Sequence, residues 1–412
     1  MTNGFTGLPV SWNGTEGTIT FRDNGLCLFD AGRGDVYTDN TKNSTGWTLT
    51  AAKDGGYTIR YGADGKYLGY SDGTKIIVFV DSEEKAIVWK FLSSEEYTNT
   101  IKENTKSSYQ RIIDAAGFTF TADQFLEQVS KTFINKDMTE RVPTATFTGS
   151  KGTWTWDEKR GQGGQPAYGN GFAEFYQATG SLHQTITVPS GLYRVNISGF
   201  ERTTWNKECT TMGDAGYEPV VATFEANASA VPLASWYSGQ TGGNNPNNTG
   251  EAVAKFNEGK YMNELYTYVG KDEQLTLRVN IPSHVGGRWV LINNVVLTQL
   301  TELSDADVTA LLATVPEGDM NKDVQSALTA AKTALETDKS VANYNALAAL
   351  ITPAKSSITA YASVKAALDK AAATKTACAG NYPLYLTTFD EKIAAIQTEY
   401  DNRTIADVDC PT

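Results

Sequence analysis

The sequence predicts a multidomain, mainly β chain that ends in an antiparallel α-helical bundle. Three observations carry this. Residues 181–200 alternate polar and apolar side chains on both sides of a Pro/Gly turn, as half-buried strands do. Two segments of roughly 40 residues near the N-terminus repeat one strand-and-turn pattern. From Ser304 the composition changes abruptly to Ala, Leu, Lys, Thr and Asp, with apolar residues at helical spacing. At 412 residues the chain is too long for one hydrophobic core, so two to four domains are expected.

Residues 1–96 read as all-β. In the first repeat Ile19-Thr-Phe21 precedes Gly25-Leu-Cys-Leu28, then Asp35-Val-Tyr37, and the segment ends at Trp47. In the second, Tyr57-Thr-Ile-Arg60 precedes Gly65-Lys-Tyr-Leu68, then Ile76–Val80, and the segment ends at Val88-Trp89-Lys-Phe91. Asp64-Gly65 and Asp72-Gly73 are hairpin turns. Arg33-Gly34-Asp35 spells an integrin-binding tripeptide, but turn chemistry alone accounts for it.

Residues 97–134 are expected to form a helical connector. Ser93-Ser-Glu-Glu96 suits an N-cap with an acidic first turn. Gly117-Phe-Thr-Phe120 interrupts the helix, and Thr121-Ala-Asp-Gln124 starts a second one.

A β-sandwich is expected over 135–302. Trp154-Thr-Trp156 places two indoles on one strand face. His183–Val188 and Tyr193–Ser198 read as two antiparallel strands around Pro189-Ser-Gly191, and Gly286–Leu297 supplies a late strand. Gly161–Gly171 and the Asn-rich stretch Gly239–Gly250 read as loops.

Residues 303–412 read as an Ala-rich helical bundle. Val324, Leu328, Ala331 and Leu335 keep helical spacing, as do Val364, Ala367, Leu368 and Ala371. Pro353 and Gly380-Asn-Tyr-Pro383 are expected to break the helices. Residues 305–358 would form one three-helix unit, and 360–402 the beginning of a second.

These patterns resemble known families. Gln184-Thr-Ile-Thr-Val-Pro-Ser-Gly-Leu-Tyr-Arg-Val195, Gly199-Phe-Glu-Arg202 and Trp289-Val-Leu-Ile-Asn-Asn-Val-Val-Leu297 resemble the galactose-binding-like jelly-roll sandwiches of secreted gut Bacteroidetes proteins. That family usually has Asp where Asn293 stands here. The second N-terminal repeat resembles a ricin-type β-trefoil unit, whose late Gln-x-Trp-x-Phe pattern appears as Val88-Trp89-Lys-Phe91. A trefoil needs three units and two are visible, so the third is either a degenerate remnant in 1–17 or lies upstream. The helical segment resembles the FIVAR-like spacer modules of bacterial surface proteins. Together the resemblances imply a secreted or cell-surface protein.

Composition narrows the function. The net charge of −12 opposes nucleic-acid binding, which needs clustered Lys and Arg. No apolar run is long enough to span a membrane. Met1-Thr-Asn-Gly-Phe-Thr has neither a basic nor an apolar signal region, so the protein is expected to be either cytosolic or a mature fragment, and the family resemblances favour the second. Cys27, Cys209, Cys378 and Cys410 form no C-x-x-C pair, and the only histidines are His183 and His284, which opposes a zinc site. Cys378 and Cys410 flank one helical segment and are the pair that a bridge would join. The jelly-roll resemblance allows a structural Ca²⁺, for which Asp157, Glu158 and Glu174 offer hard oxygens.

Glycan recognition needs aromatic faces for sugar C–H groups and planar polar groups for hydroxyls. The candidates are Arg202, Trp205 and Asn206 after the Phe200–Arg202 strand, Trp236 and Tyr237 beside the Asn-rich loop, and Arg288 next to Trp289. Lys207 stands beside them. The leading expectation is a non-catalytic carbohydrate-binding or adhesin protein that holds a glycan or glycoprotein on the sandwich loops. One alternative is a surface scaffold that engages a surface-protein partner. Another is the accessory region of a glycan-active hydrolase, with Glu201 as the carboxylate to test. Nucleophile elbows, P-loops and dinucleotide fingerprints are absent from the sequence.

Overall fold

The computed structural model describes residues 10–21, 27–30, 36–39, 45–53, 55–62, 65–71, 76–159, 164–214, 220–237, 245–282, 286–378 and 383–411. The chain divides into two compact units, one of 1–123 with 137–299 and one of 124–136 with 300–412. Arg33–Asp35, Asp64, Asp72-Gly73 and His284 lie outside the described residues.

In the first unit the N-terminal repeats form two antiparallel meanders. One contains β1 (Val10–Asn13), β2 (Thr18–Phe21), β3 (Cys27–Asp30) and β4 (Val36–Asp39). The other contains β5 (Trp47–Ala51), β6 (Tyr57–Tyr61), β7 (Lys66–Ser71) and β8 (Ile76–Val80). The sheets do not follow the repeat boundaries: Trp47, expected to end the first repeat, opens β5 of the second sheet, and Trp89 only bridges to Tyr57. The two sheets share a core, with Ile19 and Leu28 from the first and Trp47, Ile59 and Leu68 from the second. Trp47 ties them together: its Nε1 donates to the Leu28 carbonyl at 3.0 Å, and its ring stacks on Phe79. Gly17 has φ 65°, and an added Cβ would lie 2.7 Å from the Trp47 carbonyl, so only glycine suits that junction.

Helix α1 (Ser94–Ala116) begins with a capping box, in which the Ser93 side chain accepts from Glu96 N and the Glu96 carboxylate accepts from Ser93 N. It ends at Gly117 in the left-handed conformation, as the glycine suggested. Ile112 and Ile113 are buried, and Tyr109 meets Tyr266 edge to face at 6.2 Å. The next two elements are α2 (Phe125–Thr132) and β9 (Phe133–Asp137).

The sandwich follows with β10 (Thr155–Glu158), β11 (Ala167–Gly169), β12 (Phe172–Tyr176), β13 (Gly180–Ile186) and β14 (Gly191–Arg202). Next come α3 (Asn206–Asp214), β15 (Thr223–Ala226), β16 (Ser229–Pro232), β17 (Ala234–Ser235) and α4 (Thr249–Asn257). It closes with β18 (Met262–Val269), β19 (Leu275–Ile281) and β20 (Trp289–Glu302). A five-stranded sheet runs β10-β13-β19-β15-β16, and a larger sheet runs β11-β12-β20-β14-β17, with β18 beside β14 and β9 beside β20. The core between them includes Trp154, Phe175, Leu182, Val195, Phe224 and Leu277. Trp154 and Trp156 both lean on it, as their shared face predicts.

The expected pair around Pro189 needs correction. β13 lies in the five-stranded sheet and β14 in the larger one, so the turn carries the chain from one sheet to the other. Both strands alternate because both face one core from opposite sides. Asn294, at φ 55°, resets the alternation in β20, so that Val295 and Leu297 face the same core as Ile292. Asn293 is buried, and its Oδ1 accepts from Phe147 N at 3.2 Å; a neutral amide suits that place.

The larger sheet also carries apolar residues on its outer face. Phe200, Trp289 and Leu291 are covered by Cys209 of α3, by Ala252 and Phe256 of α4, and by Trp236 and Tyr261.

The second unit adds α5 (Asp305–Ala313), α6 (Lys322–Thr337), α7 (Val341–Cys378) and α8 (Pro383–Asp401). Ser304 opens α5 with a capping box closed by Asp307, whose carboxylate also pairs with Lys136 at 2.8 Å. There are two helical cores, one around Leu328, Leu335 and Leu347 and one around Tyr361, Val364 and Ile405. The break expected at Pro353 is absent: α7 runs through it for 38 residues and serves both cores. Ile351, Ala354 and Tyr361 are buried on either side, and their packing offsets the lost hydrogen bond. Cys378 and Cys410 are not bridged to each other.

Candidate functional site

β14 ends in Phe200-Glu201-Arg202, and strand alternation sends these side chains to opposite faces. Glu201 points inward and is fully buried. Its Oε1 lies 2.7 Å from Arg288 Nε, and its Oε2 accepts from Val221 N and Ala222 N at 2.7 Å each. Phe200 and Arg202 belong to the outer face.

On that face a row of side chains crosses three strands. Tyr176 of β12 sits opposite Trp289 of β20, and the Arg202 guanidinium of β14 lies 5.0 Å over the Trp289 ring. Trp289 Nε1 donates to Glu174 Oε1 at 2.7 Å. Arg202 is buried and holds the rim together: Nε donates to the Thr204 carbonyl at 3.0 Å, Nη2 to the Gly287 carbonyl at 3.1 Å, and Nη1 to Asn206 Oδ1. Burial pushes Arg202 below the ordinary guanidinium range, while the nearby Cys209, Tyr176 and Glu174 oppose that shift.

Trp205 stands at the end of this row and is 51% exposed. Gly287, at φ 77°, packs beneath it: an added Cβ would lie 2.6 Å from the indole Cδ2. The indole thus packs against bare backbone and is half open to solvent. Tyr176 is 40% exposed on the same outer face. Asn206 starts α3, and its amide donates to Asn247 Oδ1; Asn247 N in turn donates to Glu251 Oε2 at 2.7 Å, next to Asn248, the N-cap of α4. The rim therefore presents two aromatic surfaces beside planar amides and carboxylates, held from below by a buried guanidinium. Such a surface can stack on C–H faces and hydrogen-bond to hydroxyl groups.

The predicted residues fall into two groups. Arg202, Trp205 and Asn206 meet at the rim. Trp236 does not present a face: it is 4% exposed under α4, its Nε1 donates to the Pro246 carbonyl at 2.8 Å, and its N donates to the Glu201 carbonyl. Its role as a platform is corrected to one in the outer-face core. Arg288 likewise is no open donor, because it is buried against Glu201. Tyr237 is half-buried beside that core. The first half of the Asn-rich stretch, 239–244, lies outside the described residues, and its end, Thr249-Gly250, opens α4. The Glu201 environment is that of a paired, structural carboxylate.

Tyr176 and Gly287 were not singled out from sequence. The signal was present for Tyr176: Phe172, Glu174 and Tyr176 share the face of β12 opposite to Ala173 and Phe175. Asp157, Glu158 and Glu174 do not converge on a cation, since the first two are neighbours on β10 and Glu174 lies in the other sheet. Among the described residues no group of three His, Cys, Asp or Glu is placed to hold a metal. No described helix is long and apolar enough to cross a membrane.

No known family profile and no curated protein matches the chain. Two solved structures show a partial likeness. One is of TmCBM61 in complex with beta-1,4-galactotriose, at 14% identity, covering 39% of this chain and 97% of that one, with a TM-score of 0.23. The other is of a mutant of the family 29 carbohydrate binding module CBM29-2 complexed with mannohexaose, at 10% identity, covering 40% of this chain and 92% of that one, with a TM-score of 0.18.

Proposed function

We propose that the sandwich is a non-catalytic carbohydrate-binding module that holds glycan at the rim formed by Trp205, Tyr176 and Asn206. The observation that carries this is the half-exposed Trp205 indole packed against the Gly287 backbone. An indole offers an apolar ring with a polar N–H for a sugar, and Gly287 leaves room for it where any Cβ would collide. Arg202 acts as a positioning residue, since it binds Thr204, Asn206 and the Gly287 carbonyl rather than facing solvent. The same proposal puts the protein in the secretome or at the cell surface, with the helical unit as a spacer.

A glycan array probed with the full chain tests the reading. Binding to one glycan class that is lost in Trp205→Ala supports it. A blank array, with the protein folded, shifts the reading to a scaffold that binds a surface protein. Reducing-end release from a polysaccharide would overturn the non-catalytic assignment.

A further inference from the structure

A cleft of about 410 Å³ lies between α1 and the loops at one end of the sandwich. Its helix wall offers Ile112 and Ala115, and its other wall offers Ser229, Thr267 and Tyr268. Both walls are packed. Tyr109 packs edge-on against Tyr266, and Ile112 is buried beneath the helix. Asn227 clips the opposite loop, donating from Nδ2 to the Gln274 carbonyl at 3.1 Å and accepting from Thr276 N at 2.8 Å. The cleft is therefore built before any ligand arrives, and its volume falls in the range of small-molecule sites.

The polar groups in this cleft divide sharply. Asn227, Thr267 and Gln274 spend their side chains on internal hydrogen bonds. Glu273, the carboxylate among the lining residues, accepts from Gly270 N at 2.8 Å. Arg111 is the cation of the lining, is exposed, and has no ion pair with any described residue. Ser229 and Tyr268 add a hydroxyl and a phenol beside it.

We infer that this cleft binds a sugar acid, with the ligand carboxylate on the Arg111 guanidinium, its hydroxyls toward Ser229 and Tyr268, and its C–H face on Ala115. A guanidinium takes a carboxylate in a two-pronged fork that no neutral sugar can match. The site is separate from the Trp205 rim and stands whether or not that rim binds glycan.

The test is calorimetric titration of the full chain with D-galacturonate and, in parallel, D-galactose. Galacturonate is expected to bind, with galactose at least about tenfold weaker, and Arg111→Ala should lower galacturonate affinity by about tenfold or more. Trp205→Ala should leave that affinity unchanged. The inference is overturned if galacturonate fails to bind, if Arg111→Ala binds it as well as the parent, or if binding is lost in Trp205→Ala. Because Arg111 is exposed, its replacement keeps the fold; an unchanged melting temperature verifies this.

Discussion

The backbone of Gly287 is the floor on which the Trp205 indole rests. At φ 77° the glycine adopts a conformation that side chains avoid, and a Cβ would meet both the Trp205 ring and its backbone N at 2.6 Å. Gly287→Ala should therefore cost roughly 1–3 kcal/mol in stability and dislodge the indole. Denaturant unfolding reads the first effect, and the Trp205 contribution to emission, taken as the difference from Trp205→Ala in each background, reads the second. An unchanged spectrum would mean that the indole does not depend on this floor.

The Glu201–Arg288 pair lies in the core at 2.7 Å, with side chains 0% and 2% exposed. Removing either partner strands a buried charge. Glu201→Gln and Arg288→Met should each cost about 3–5 kcal/mol. The double variant should lose less than the sum, because no charge remains to strand. Additive losses in a double-mutant cycle would show that the pair is not coupled.

Tyr193 and Tyr266 set an alkaline limit. Burial pushes both phenols up to about 12 from an ordinary value of 10.0. Each remains protonated in the fold where the unfolded chain would ionise, so their contribution is full below pH 10 and is lost as pH rises toward 12. Stability should fall through that window, together with a late rise in phenolate absorbance. In Tyr193→Phe, which removes the hydroxyl that donates to the Pro189 carbonyl at 2.7 Å, the alkaline fall should be shallower.

Pro353 inside α7 deprives the Ala349 carbonyl of its partner. Pro353→Ala should raise the stability of the helical unit by as much as about 3 kcal/mol, measured by urea unfolding. Loss of stability instead would show that the proline ring itself is needed for packing.

Much of this architecture was legible in the chain. The residues described before α1 are mainly strand and turn, Ser93 and Gly117 bounded α1, and the change at Ser304 marked a helix start. These features are local: capping, turns and periodicity act over a few residues. Pairing is not local. The alternation of Leu182 and Ile186, and of Val195 and Ile197, marks strands but not which sheet they join. Pro353 looks like a stop in sequence, yet burial of Ile351, Ala354 and Tyr361 carries the helix past it. The site divides in the same way. Trp205 and Trp236 both stand near polar, loop-like sequence, and what separates them is distant: α4 covers Trp236, whereas Gly287 holds Trp205 outward.

The most direct measurement is the affinity of the full chain for its best array glycan, compared with Trp205→Ala and Tyr176→Ala. Loss of a stacking surface should weaken binding by about tenfold or more in Trp205→Ala, with a smaller loss in Tyr176→Ala and unchanged melting temperatures. Equal affinity in the parent and Trp205→Ala would contradict the assignment of the rim as the glycan site.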